Sequence, residues 1–174
     1  MDERERLELF EQTVLPHLDA AYNLARWLAG NDHDAQDVAQ DASLRAFKFF
    51  GSFRGENARA WLLTIVRNTF YSWLQKNRPS EIAGELDDEA LMIEDVSVNA
   101  ETVNLRVADA EMIRGAIAEL PVEFREIIVL REMEGFNYKE IADLSDVPIG
   151  TVMSRLARAR RQLRACLERK GARP

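Results

Sequence analysis

Three groups of side chains in this sequence have types and spacings suited to acting on a partner. Near the C-terminus, Ser154, Arg155 and Arg158 stand at i, i+1 and i+4 of a helical repeat and share one face. Arginine's planar fork can bind guanine edges or clamp phosphates in bidentate fashion. In the first half, Thr64, Arg67, Asn68, Tyr71, Ser72 and Gln75 form a second stripe. A tyrosine beside Arg, Asn and Ser offers stacking and hydrogen bonding suited to unpaired bases. The preceding loop, Phe50-Gly51-Ser52-Phe53-Arg54-Gly55, adds aromatics on a glycine-flexed segment where a flipped base could lodge. The third group, Asp37, Gln40, Asp41 and Leu44, falls on one helix face that can dock a basic partner helix.

None of these groups reads as an active site. A divalent cation needs carboxylates converging from more than one element, and Asp34, Asp37 and Asp41 come from one. His17 and His33 have no identifiable nucleophile or metal partner. Cys166 is the one cysteine, so an internal disulfide or a zinc site is excluded and a reducing cytoplasm fits. The expectation is a protein that is not an enzyme, with no metal, no cofactor and no small-molecule substrate.

The elements that must carry these groups are helical, for apolar residues recur at helical spacing and no convincing strand alternation appears. Residues 5 to 29 read as a helix bent near Pro16, 34 to 49 as a second and 57 to 77 as a third. On the third, Trp61, Leu62, Ile65, Val66, Phe70, Trp73 and Leu74 form a core stripe. Four shorter helices follow, at about 106–119, 121–133, 137–145 and 149–169, with Pro121 suited to a first helical position and Gly135 to a helix end. Between the two sets, residues 79 to 105 read as an acidic flexible linker. The fold class expected is all-α: a helical domain over 1–78, the linker over 79–105, and a second helical domain over 106–174.

Charge sharpens this division. The chain of 174 residues carries a net charge of −7, which taken alone argues against nucleic acid. From Ile149 to Pro174, however, eight basic residues face one acid, a local +7, whereas Ser80 to Glu111 holds ten acids against one base, a local −9. Segregation of this kind points to an anionic partner at the C-terminal end. The longest aliphatic run, Ile127 to Leu130, is far too short for a membrane span, and the acidic start Met1-Asp2-Glu3-Arg4 has no signal-peptide core.

Residues 138 to 158 have the pattern of a helix-turn-helix. Ala142 is small where two helices must cross closely, Val147 and Val152 can plug the core between them, and Asp146 to Pro148 makes the turn where many such motifs carry glycine. Thr151 can cap the second helix or lie in its first turn, and that helix suits insertion into a major groove.

Taken together, the motifs resemble the extracytoplasmic-function (ECF) sigma factors of the bacterial sigma-70 family. The run from Asp34 to Phe47, DAQDVAQDASLRAF, is similar to conserved region 2.2. Phe53-Arg54-Gly55 and the run AWLLTIVRN from Ala60 to Asn68 resemble regions 2.3 and 2.4. LPVEFREIIVL, from Leu120 to Leu130, resembles region 4.1; YKEIA at Tyr138 and GTVMSRL at Gly150 resemble region 4.2.

The resemblance implies a promoter-recognition subunit. Asp37, Gln40, Asp41 and Leu44 then occupy the face that meets the β′ clamp helices of core RNA polymerase, and the second domain meets the β flap. Phe50, Ser52, Phe53, Arg54, Arg67, Asn68, Tyr71, Ser72 and Lys76 fall where the −10 element is opened and read, with Arg67 and Lys76 placed to hold phosphates. Lys139, Thr151, Met153, Ser154, Arg155, Arg158 and Arg161 fall on the −35 surface. Met153 departs from the family pattern, in which lysine or arginine is frequent at that position. The acidic linker is expected to thread the polymerase's basic channels, and an anti-sigma factor is expected as a regulator. A sigma-like decoy that only sequesters an anti-sigma factor would not need the arginines of the last helix. A conventional transcriptional regulator would need neither the 34–47 pattern nor the aromatic loop.

Overall fold

The computed structural model describes residues 1–82 and 110–171. Nearly all of the segment read as the acidic linker, and the start of the helix expected at 106, lie outside the described residues. All regular structure among the described residues is helical. The chain divides into two compact units, Met1–Pro79 and Ser80–Pro174.

The first unit holds α1 (Glu3–Val14), α2 (Leu18–Ala29), α3 (Asp32–Lys48) and α4 (Ala58–Asn77). Pro16 does more than bend the expected helix over 5–29: a 3-10 turn at Leu15–His17 separates α1 from α2 there, since proline removes a backbone donor. Asp2 and Glu5 close a capping box on α1. Gly30, at φ 87°, takes the left-handed turn that ends α2, a conformation nearly free for glycine alone. Asn31 then caps α3 by accepting from the Asp34 N–H at 2.9 Å. Because α3 buries mainly alanines (Ala35, Ala42 and Ala46, with Val38), α2 and α4 can approach it closely. From α4, Leu62, Leu63, Val66, Phe70 and Leu74 complete the core. Thr69 is buried with them, and Trp61, Ile65 and Trp73 of the expected core stripe are only half-buried.

The second unit holds α5 (Ala110–Glu119), α6 (Val122–Ile128), α7 (Tyr138–Ser145) and α8 (Ile149–Arg169). Pro121 lies one residue before α6, where its carbonyl accepts from Phe124 and Arg125. From Val129 to Met133 the helix expected to run to 133 widens into a π-turn, which the Glu134 N–H closes on the Val129 carbonyl at 2.9 Å. Asn137 and Glu140 form a capping box on α7. α8 inserts Val152, Leu156, Ala159 and Leu163 at helical spacing into the core made by α6 and α7. Glu126 is buried within this unit and accepts from the Ser145 hydroxyl at 3.3 Å.

Candidate nucleic-acid interface

The turn between α7 and α8 determines what α8 can present. Asp146 adopts the left-handed conformation, φ 55° and ψ 50°, and its N–H bonds the Ala142 carbonyl. Aspartate tolerates that region better than most side chains, so it fills a place where glycine is the easier choice. The Val147 N–H also returns to Ala142. Ala142 and Val152 are buried at the crossing, and Val147 is half-buried. The cap of α8 is Pro148 rather than Thr151, which sits at the third helical position with its N–H on the Pro148 carbonyl.

With Val152, Leu156, Ala159 and Leu163 facing inward, the other side of α8 carries Thr151, Ser154, Arg155 and Arg158, all half-buried, and the exposed Arg161. Met153 is half-buried on the same helix, and Lys139 is exposed on the first turn of α7. The Ser154 hydroxyl donates to the Gly150 carbonyl at 2.9 Å. Arg155 Nε is shut off from solvent with no hydrogen-bond partner, so packing fixes the root of that guanidinium. Arg160, on the same basic helix, is committed inside the unit to Glu132 at 2.6 Å.

On the first unit, α4 brings Arg67, Asn68 and Tyr71 into one group. The Arg67 guanidinium lies 4.4 Å from the centre of the Tyr71 ring and donates from Nη1 to Asn68 Oδ1 at 3.3 Å. Asn68, Ser72 and Lys76 are exposed, and Arg67 and Tyr71 are half-buried. This is a pre-formed surface of ring face, amide and cation. The loop ahead of α4 begins as a 3-10 turn, Phe50–Ser52, and holds the Ser52 hydroxyl on the Phe49 carbonyl at 2.7 Å. Arg54 is exposed and Phe53 half-buried.

Phe50 corrects the sequence reading. It is only 6% exposed, packed edge-on against Phe10 and parallel to Phe53, so its ring belongs to the core and is withdrawn from the DNA-contacting set.

Asp37, Gln40, Asp41 and Leu44 share the exposed outer face of α3. Asp41 pairs with Arg45 at 3.3 Å and Asp37 lies 3.9 Å from His33, exposed i,i+4 pairs that contribute little to stability. Leu44 is 65% exposed among them, an apolar side chain left in water on a polar face. His33, Asp34 and Asp37 bring one possible ligand atom each within 4.8 Å of one another. Asp34 is nevertheless already engaged by Asn31 and Arg78, which leaves no shared carboxylate cage.

Residues 13–79 match the family model for sigma-70 region 2, and residues 110–163 match that for sigma-70 region 4. The ECF RNA polymerase sigma-E factor of Escherichia coli K12 is 36% identical over 135 residues, covering 73% of this chain and 70% of that protein. This chain belongs to the ECF sigma factors of the sigma-70 family. The ECF sigma factor SigE of Mycolicibacterium smegmatis is 34% identical over 89% of this chain, which spans 60% of that relative's length. The sigma factor RpoE of Bartonella quintana, solved in complex with the anti-sigma factor NepR, superposes with a TM-score of 0.69 at 33% identity. That match covers 91% of this ECF chain and 96% of the solved one. Among the described residues, no helix is long and apolar enough to cross a membrane.

Sequence reasoning missed Arg6, Phe10 and Arg78. Each acts through a contact with residues more than thirty positions away, and such a contact leaves no local signature.

Proposed function

We propose that this chain binds core RNA polymerase through the outer face of α3 and directs the enzyme to promoters. Residues 1–78 act as the −10 module and residues 106–174 as the −35 module, tethered by the acidic segment 79–105. Arg67, Asn68, Tyr71 and Ser72, with Ser52, Phe53 and Arg54 of the loop, take the −10 element as single strand. Arg155 and Arg158 of α8, flanked by Lys139 and Arg161, take the −35 element in the duplex major groove. The protein performs no catalysis itself and works in the cytoplasm, where an anti-sigma factor holds it in check.

The observation that carries this reading is the paired arrangement of polar faces. A stacking and hydrogen-bonding surface for unpaired bases sits on the unit that matches region 2. A half-buried arginine face on the second helix of a helix-turn-helix sits on the unit that matches region 4.

Run-off transcription with purified core polymerase and fragments of bacterial genomic DNA tests it. Specific transcripts that require this chain, and that disappear with Asp37→Arg plus Asp41→Arg, are the expected result. Absence of both core binding and transcripts would overturn the reading.

A further inference from the structure

The N-terminal helix carries none of the polar faces described above, yet it grips the segment that joins two of them. Arg6 on α1 donates from Nη2 to the main-chain carbonyls of Phe47, at 2.9 Å, and Lys48, at 3.1 Å. Carbonyls in the last turn of a helix lack intrahelical partners, and a cation there also meets the negative end of the helix dipole. The same guanidinium lies 5.4 Å from the centre of the Phe47 ring.

One turn further along α1, Phe10 stands edge-on to both Phe47, at 5.2 Å, and Phe50, at 5.4 Å. Phe50 lies parallel to Phe53 at 6.0 Å, and Phe53 packs 5.3 Å from Trp61 at the start of α4. Arg6 and Phe10 are four residues apart, so one face of α1 makes both grips. An unbroken line of contacts therefore leads from α1, through the last turn of α3, to the loop that carries Ser52, Phe53 and Arg54. The polymerase-facing residues of α3 end at Leu44, before the carbonyls that Arg6 holds. The start of α3 is anchored separately, by Arg78 on Asp34.

We propose that Arg6 is a positioning residue for strand reading: by fixing the last turn of α3 it sets where the chain leaves that helix, and so where Phe53 and Arg54 are offered to DNA. This rests on the assignment of the loop to the −10 element made above. Arg6 Nε is shut off from solvent without a partner, a cost that the two carbonyl bonds and the ring contact must offset.

The test uses the full chain assembled with core polymerase. Its probe is a labelled single-stranded oligonucleotide from the nontemplate strand of a promoter that the wild-type holoenzyme transcribes. Core affinity and strand affinity are measured for Arg6→Ala, Arg6→Lys and Arg54→Ala. Arg6→Ala is expected to keep core affinity within about twofold and to weaken strand binding roughly tenfold, the factor that losing charged hydrogen bonds gives. Arg6→Lys, which keeps the charge and a donor, recovers part of that loss, and Arg54→Ala weakens strand binding directly. If Arg54→Ala weakens strand binding and Arg6→Ala leaves it intact, the positioning role falls and the loop assignment stands. If neither variant changes strand binding, both fall. If core and strand affinity drop together in both Arg6 variants, Arg6 is a general prop of the unit and the inference is overturned.

Discussion

Arg78 and Asp34, 44 residues apart, form an ion pair that closes the first unit. The same guanidinium donates to the Ala29 carbonyl at 3.0 Å and lies 4.9 Å from the centre of the Trp73 ring. One side chain at the end of α4 thus fastens the end of α2 and the start of α3.

Removing it should loosen this unit. Arg78→Ala is expected to cost about 1–3 kcal/mol, since it strips a half-buried carboxylate and a helix-end carbonyl of a charged donor. All three tryptophans, Trp27, Trp61 and Trp73, lie in this unit, so tryptophan fluorescence during urea unfolding of the full chain reports on it alone. An unchanged midpoint would show the clamp to be ornamental.

The Asp34 carboxyl has its own pH signature. The Asn31 amide hydrogen bond, and after it Arg78, hold it below the ordinary carboxylate range against the opposing effect of partial burial. A depressed folded-state value means stability that is present above the unfolded value, about 3.9, and lost as pH falls through the folded one. Wild type should therefore exceed Asp34→Asn in stability at pH 7, and the gap should close as pH drops below about 4. A gap that persists at low pH would assign the effect to packing.

Much of this architecture is written in local signals. Gly30 and Asn31, Asn137 with Glu140, and Pro148 mark helix ends through caps that lie within a few residues of the groups they satisfy. The faces of α3, α4 and α8 follow from helical spacing. What stays hidden is long-range or three-dimensional. Phe50 reads as a loop aromatic free to meet a base until Phe10, from forty residues upstream, is seen against it. The π-turn at Val129–Met133 reads as plain helix because its residues are all compatible with one. Arg160 counts toward the positive charge of the last helix, whereas in the folded unit Glu132 pairs with it.

Asp146 gives a prediction for the second unit. A left-handed backbone costs a β-branched residue most and glycine least. Asp146→Val should destabilise the unit by about 1–2 kcal/mol, and Asp146→Gly should be neutral or mildly stabilising. Hydrogen exchange of the α7 and α8 amides reads the difference. Faster exchange in the glycine variant than in the valine variant would contradict the turn geometry.

Cys166 should be unreactive while the protein is folded. It is buried, and its thiol donates to Glu119 Oε2 at 2.7 Å, with Lys170 on the other carboxylate oxygen at 3.0 Å. Burial first, and then the Glu119 contact, push the thiol above its ordinary range, so little thiolate exists at neutral pH. A disulfide exchange reagent should label it at least about tenfold more slowly in the native protein than in urea. Equal rates would mean that the α5–α8 contact opens freely.

The role proposed for α8 allows a sharper test, because Arg155 and Met153 are expected to differ in kind. Arg155 is half-buried with its Nε fixed by packing, which suits a side chain aimed at one base edge. With holoenzyme on a −35 duplex, Arg155→Ala should cost about 1–3 kcal/mol and relax preference at one base pair. A loss spread evenly over all sequences, with a salt slope shallower by about one, would instead make Arg155 a phosphate anchor. Methionine at 153 can touch a thymine methyl but cannot hold a phosphate. Met153→Arg should therefore bind more tightly at low salt, steepen the log-log salt slope by roughly 0.9, and weaken any preference for thymine beneath it. If affinity rises while slope and preference stay fixed, position 153 does not face the DNA, and the register assigned to α8 in the groove is wrong.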